Sequence, residues 1–239
     1  MKLVSLQFDT IKGEHQKNLD KLLSLVDKTE QNSLIVAPEV CLSGFDYDNY
    51  EQSLEFAKIA TDELKKASQD KIIITTMMER EDEHKYNFVK VFYKGEVVFQ
   101  RAKAKLFRFG DEHKYMSEGS SDEVKIIEIN GIKLGVLICF ELRFKELWKK
   151  LEGCDVIVVP SWWGVLRSEH FRVLTEALAV MNQCYVVASD SLNESCTKLS
   201  GIIRPHGEVL RNAKNESLSL LYDKKEVLKM RRYLDVGIG

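Results

Sequence analysis

The sequence predicts an α/β protein of mixed β-sheets covered by helices, and three observations lead there. Short apolar runs alternate with amphipathic helical stretches along most of the chain. Two hairpin signatures, Lys94-Gly95 and Asn130-Gly131, add antiparallel pairs to sheets that the alternation would make parallel. No linker, internal repeat or low-complexity tract interrupts the 239 residues, so a single domain over 1–239 is expected.

Taken in order, KLVSLQF reads as a first strand and HQKNLDKLLSLVDK as a helix with its leucines on one face. SLIVAPE is a short apolar run that ends in a carboxylate. YEQSLEFAKIATDELKKASQ is helical, and KIIITTMME is a strand rich in β-branched residues. FVKVFYKGEVVFQRAKAKLF folds back on itself at Lys94-Gly95. A polar loop, GDEHKYMSEGSSDE, precedes the second hairpin, VKIIEINGIKLGVLICF. ELRFKELWKKLEG is then expected as a helix, CDVIVVPSWW as a strand and SEHFRVLTEALAVMNQ as a helix. CYVVASDS and SGIIRPHGEVL are further strands, and a polar tail is expected to close the chain.

Composition excludes several classes of partner. With 44% hydrophobic and 30% charged residues the chain is an ordinary globular protein. A net charge of −2 gives no reason to expect nucleic acid, which would favour a basic face. No apolar stretch approaches the ~20 residues of a membrane span, and the first residues lack a secretory pattern. Five cysteines with no close pairing point to free thiols in a reducing, cytoplasmic compartment. Their spacing does not suit structural zinc, so neither metal nor cofactor is expected.

Three residues carry possible chemistry. Glu39 closes the run SLIVAP and Cys139 closes GVLI; ligands in open α/β sheets collect outside the carboxyl ends of strands. Each also has an ordinary reading, as a solvated strand-end carboxylate and as a packed small hydrophobe. A thiol where a buried strand meets a helix would sit near unpaired N–H groups that lower its pKa. Lys103 alternates with Arg101 and Lys105, which by itself reads as the wet face of a strand.

In this order the three motifs resemble those of the nitrilase superfamily of carbon–nitrogen hydrolases. A-P-E-V carries Glu39, K-A-K-L-F carries Lys103, and C-F-E-L-R-F carries Cys139. The resemblance selects Lys103 over Lys105 and runs from the first strand to R-P-H-G-E. Glu112, in F-G-D-E-H-K-Y, matches the family's second glutamate, and L-F-R-F-G-D-E-H-x-x-Y is similar to bacterial omega-amidases. The chain departs from the family pattern at several places. Lys105 stands for a histidine, Leu178 and Met181 for an Arg and a Glu, S-W-W for N-W-P, and Asp190-Ser191 for N-R.

The resemblance implies a four-layer αββα sandwich of two mixed sheets covered by helices, paired as a homodimer or a larger homo-oligomer. It implies an amidase that releases ammonia from a small carboxylic-acid amide through a thioester. Glu39 would move protons, Cys139 would attack, and Lys103 with the Phe140 N–H would hold the oxyanion. Glu112 would position Lys103 or the substrate. None of the five histidines is needed for the chemistry, although His113 and Trp162 are candidates to line the pocket. Arg143, about one helical turn beyond Cys139, would suit a substrate carboxylate, or an ion pair with Glu141 or Glu146. Glu141 reads as an orienting, hydrogen-bonded carboxylate. An N-carbamoyl amine or amino-acid hydrolase, and a catalytically weak binding protein of the same fold, are the competing readings.

Overall fold

The computed structural model, which describes residues 1–238, arranges the strands in two six-stranded mixed sheets. The first half of the chain runs β1 (Lys2–Leu6), α1 (His15–Asp27), β2 (Ser33–Val36), α2 (Tyr50–Ala67) and β3 (Ile72–Glu81). Two hairpins then add β4 (His84–Tyr93) and β5 (Glu96–Ala102). A short helix α3 (Glu112–Tyr115) leads to β6 (Ile127–Ile129) and β7 (Ile132–Val136). The second half continues with α4 (Lys145–Lys150), β8 (Val156–Pro160), α5 (Ser168–Asn182) and β9 (Tyr185–Ser189). The remaining elements are β10 (Gly201–Ile203), β11 (Val209–Arg211), β12 (Ser217–Leu221) and α6 (Lys224–Tyr233).

Both sheets have the same plan. In the first, β1, β2 and β3 are parallel, with β12 added antiparallel to β1 and the β4–β5 hairpin beyond β3. In the second, β7, β8 and β9 are parallel, with β6 antiparallel on one side and β10–β11 on the other. Each parallel centre is therefore a β-α-β-α-β unit whose helices cross one face.

Side-chain alternation assigns the faces. Val4, Leu6, Ile35 and Ile73 meet Leu19, Leu22, Ala60 and Leu64 of α1 and α2 in one core. Their strand neighbours Leu3, Leu34, Val36, Ile72 and Ile74 point the other way, into a core shared with the second sheet. Polar bonds cross the same interface: the Ser5 hydroxyl donates to the Ala188 carbonyl at 2.7 Å, and the Ser189 hydroxyl to Leu6 at 2.6 Å. Leu147, Phe171, Leu178 and Ala179 of α4 and α5 bury the far side. The result is the expected sandwich of helices, two mixed sheets and helices.

Both expected hairpin turns are present. Lys94 and Gly95 have φ of 52° and 78°, and Asn130 and Gly131 of 52° and 75°, as a type I′ turn requires. Two expectations fail. The segment after Cys139 is a tight 3-10 turn over Cys139–Arg143 followed by the short α4, rather than one helix. The chain also does not close in a polar tail: β12 pairs with β1, and Leu218 and Val227 enter the core. Only one side of β12 and one residue of α6 are buried, so composition hides both elements.

Leu218 separates a structural strand from a tail. Leu218→Asp places a charge in the core between the sheets and is expected to cost about 3 kcal/mol or more. Urea unfolding measures this, and a variant as stable as the parent would show that β12 contributes nothing.

Candidate active site

The strands of both sheets deliver chemistry-bearing residues to one place. Beyond β2 the backbone continues through Ala37 and Pro38 to Glu39, whose N–H donates to Ser161 just past β8 in the other sheet, at 3.1 Å. Val40 follows with φ of 42°, a strained value for a β-branched residue, held by a 2.7 Å bond from its N–H to the Thr76 hydroxyl. Lys103 leaves β5 with its N–H on the Asn87 carbonyl at 2.8 Å. Gly119 lies so close to that strand end that a Cβ there would fall 2.6 Å from Ala102.

The wet-face reading of Arg101 and Lys103 is overturned, for both are buried. Along β5 the residues from Glu96 to Gln100 are exposed or half-exposed, but the strand's end passes between the sheets. Lys105 remains half-exposed, 3.9 Å from Glu146.

Lys103 is the hub. Its Nζ donates to Glu39 Oε1 at 2.7 Å and to Glu112 Oε1 at 2.8 Å. The rest of each carboxylate is also engaged. Glu39 accepts from the Asn87 amide at 2.8 Å and from the Trp162 N–H at 3.1 Å. Glu112 Oε2 accepts from the Phe107 N–H at 3.0 Å. Burial works against charge on Lys103, yet the two carboxylates more than offset it and hold the ammonium above its usual range. Burial raises Glu39, and Lys103 opposes only part of that rise.

Cys139 lies beside this cluster, 7% exposed and with φ of 44°, at the start of the 3-10 turn. The expected lowering of its pKa does not occur. Burial pushes the thiol well above its ordinary value and the Glu39 carboxylate pushes it further, with Lys103 opposing. A full helix N-terminus, which would have favoured the thiolate, is not there. At rest the sulfur is a protonated thiol next to a carboxylate of raised basicity.

A second buried ion pair shapes the elbow. Arg101 binds Glu141 through both nitrogens, at 2.8 and 2.6 Å, and also donates to the Val136 carbonyl at 2.9 Å. Glu141 further accepts from the Ala104 N–H at 2.6 Å and the Ile138 N–H at 2.7 Å. One carboxylate thus ties the residue after Lys103 to the residue before Cys139. Asp190, just beyond β9, works similarly on the loop after β8. It accepts from the Trp163 N–H at 2.8 Å and from the Thr197 N–H and hydroxyl at 2.9 and 2.6 Å. Consecutive amides of that loop therefore end on two buried carboxylates, Trp162 on Glu39 and Trp163 on Asp190.

A small pocket opens at Cys139, bounded by Phe107, Phe140, Trp162, Trp163 and two arginines. Phe140, Trp162 and Arg143 are at this pocket. His113 is not: it is exposed and outside the pocket. Neighbours on a helical turn point about 100° apart, so turning Glu112 inward turns His113 out. Arg143 forms neither proposed ion pair, because Arg101 occupies Glu141 and Lys105 faces Glu146. Leu178 is core and Met181 is 64% exposed on α5, so those two departures do not touch the pocket. Sequence reasoning missed Asn87 and Arg167, which belong to no local pattern, and misread Arg101 as part of a wet strand face.

With the geometry in hand, comparison with known proteins is decisive. Residues 3–224 match the carbon-nitrogen hydrolase family model. The chain belongs to that family. Among relatives, it is 30% identical over 223 residues to a 2-oxoglutaramate amidase of Bacillus subtilis, covering 88% of this chain and 85% of that one. It is 27% identical over 240 residues to the omega-amidase YafV of Escherichia coli, covering 98% and 93%. The fold of this carbon–nitrogen hydrolase is similar to that of the superfamily protein XC1258 from Xanthomonas campestris. That match has a TM-score of 0.86 at 18% identity, over 98% of this chain and 94% of that one.

Two predictions follow from the buried carboxylates. Glu141→Gln leaves Arg101 as an uncompensated buried cation and is expected to cost about 3–5 kcal/mol of stability. Replacing the pair together, Arg101→Met with Glu141→Leu, should recover most of that stability but not turnover, since Ile138 and Ala104 lose their shared anchor. Recovery of both in unfolding and rate assays would make the pair merely structural. Asp190 is pushed up by burial to about 7, despite its hydrogen bonds. Between the ordinary carboxylate range and that value only the unfolded chain is ionised, so stability falls as pH rises through this window. Relative to Asp190→Asn, the parent should lose about 4 kcal/mol between pH 4 and pH 8 in urea unfolding.

Proposed function

We propose that residues 1–239 form a single carbon–nitrogen hydrolase domain acting as a cysteine-dependent amidase. The substrate is a small carboxylic-acid amide, as for omega-amidases, and the products are ammonia and the free acid. The observation that carries this reading is the Lys103 ammonium held between Glu39 and Glu112 beside the buried Cys139 thiol. The names of the relatives, 2-oxoglutaramate amidase and omega-amidase, support the same class of substrate.

Because the thiol rests protonated, attack needs a base, and Glu39 has the raised proton affinity for it. Glu39 takes the Sγ proton as sulfur bonds to the amide carbon. The Lys103 ammonium and the Phe140 N–H stabilise the tetrahedral oxygen, each good donor contributing roughly 3–4 kcal/mol. Glu39 returns the proton to the departing nitrogen, which leaves as ammonia, and a thioester remains on Cys139. Glu39 then deprotonates water, whose oxygen displaces the sulfur and releases the acid, and the proton passes from Glu39 to Sγ to restore the thiol. Glu112 holds Lys103 in place and transfers no proton.

The protein is expected to work in the cytoplasm as a homodimer or larger homo-oligomer. All five cysteines are free, which suits a reducing compartment, and no described helix is long and apolar enough to cross a membrane. Val173, Val180 and Met181 form an exposed apolar strip on the outer helix α5, which supports self-association.

Ammonia release across a panel of small amides tests the reading. Cys139→Ala and Glu39→Gln should each abolish turnover with the fold retained, and Lys103→Ala should lower kcat by about 100-fold or more. Near-parental turnover in Lys103→Ala would remove the oxyanion role. Carbon dioxide evolved together with ammonia would instead indicate a carbamoyl substrate. No ammonia from any amide, with Cys139 inert to iodoacetamide, would sink the amidase reading.

A further inference from the structure

A row of aromatic rings borders the Lys103 cluster and joins two separate segments of the chain. Phe45 and Tyr47 lie in the loop between Glu39 and α2, Tyr50 opens α2, and Tyr115 closes α3, the helix that carries Glu112. Tyr47 and Tyr115 stack with centroids 3.8 Å apart and planes 3° from parallel. Tyr50 meets both rings edge-on, at 6.1 and 6.0 Å, and its hydroxyl donates to the Tyr115 carbonyl at 3.0 Å. At the other end of the row, Phe45 lies 6.1 Å from Tyr47 and meets Trp162 edge-on at 6.2 Å. Its ring is 5.8 Å from Lys103 Nζ.

The row matters because α3 cannot hold itself in place. It is a single turn of four residues, entered through Asp111 at φ of 60° and left through an extended Met116, with no side-chain cap. So short a helix takes its position from packing. Its Glu112 carboxylate is held by Lys103 and the Phe107 N–H, and Ser117 just beyond it is tied to the Lys85 carbonyl at 2.8 Å. The stack on Tyr47 links the same helix to the loop that begins at Glu39. The Tyr47 hydroxyl takes no part, for it is buried with no hydrogen-bond partner among the described residues. Burial, and then the Glu112 charge, push the phenol above its ordinary range, so the ring stays neutral beside the carboxylates. What Tyr47 contributes is its ring.

We propose that Tyr47 is a positioning residue for Glu112: its ring, stacked on Tyr115, fixes α3 so that the Glu112 carboxylate stays on Lys103. No sequence motif marks Tyr47. The inference builds on the role given to Glu112 in the amidase reading, but it also leaves a mark on the resting site. Cys139 is faced by Glu39, Lys103 and Glu112, with Arg143 and Arg167 lining the same pocket. The Glu112 charge disfavours the thiolate, so withdrawing it raises the thiolate fraction.

Iodoacetamide labelling of Cys139 against pH, read by mass on the peptide that carries it, measures this without any substrate. Tyr47→Leu should label roughly tenfold faster than the parent at neutral pH, and Tyr47→Phe at the parental rate. Tyr115→Leu removes the same stack from a residue that is 39% exposed and should match Tyr47→Leu, so the test survives if one variant fails to fold. In a Glu112→Gln background the Tyr47→Leu change should add nothing. Leucine variants whose profiles coincide with the parent's, labelled or not, would overturn the proposal. So would a gain that persists in Glu112→Gln, or a Tyr47→Phe protein that labels as fast as Tyr47→Leu. In amide turnover, Tyr47→Leu should lower kcat roughly 10- to 100-fold with KM little changed. If no amide were hydrolysed the amidase reading would fall, while labelling would still decide the role of Tyr47.

Discussion

Lys103 is an ammonium sealed from water between two carboxylates, and much of the structure serves to make that arrangement tolerable. Each buried ion costs several kcal/mol in lost hydration, which is recovered only if every charge has close partners. Glu39, Lys103 and Glu112 together carry one net negative charge. The excess is spread over donors from separate parts of the chain: the Asn87 amide and the backbone N–H groups of Trp162 and Phe107. A fourth ionised group would find no further compensation. This is why Cys139 remains a thiol and why Glu39 holds a proton readily once it takes one.

Topology brings these groups together before any side chain is chosen. Two β-α-β-α-β units packed face to face place Glu39, beyond β2, against the segment beyond β8, while β7 delivers Cys139. The β4–β5 hairpin then inserts Arg101 and Lys103 between the sheets, and the two cations divide the work. Lys103, a compact point charge, meets the two carboxylates beside Cys139. Arg101, a planar fork, makes the bidentate bond that fixes the elbow before Cys139. Exchanging the two residue types would fit neither place.

What could be read from the sequence follows from which signals are local. Glu39 and Cys139 close apolar runs, and Asn130-Gly131 needs only its own two φ angles, so these were legible from short windows. Strand alternation did not single out Lys103 from Arg101 and Lys105; only the resemblance of K-A-K-L-F did. Alternation along a strand reports its face only while the strand keeps one environment, and β5 changes environment at Arg101. The helix read after Cys139 failed for a related reason. Its charges suit a helix surface, but the Glu141 carboxylate turns inward to Arg101 and closes a 3-10 turn instead. Arg167 left no trace in the sequence because its meaning depends on Phe107 and Trp163, which are distant along the chain.

Amide hydrolysis beside this cluster would change its charge balance. Two carboxylates already face one ammonium next to Cys139. Under the amidase reading, the reaction turns a neutral amide into an anion beside Glu39, with Lys103 as the opposing cation. The same negative surroundings that keep Cys139 a thiol would therefore weaken the hold on the product acid.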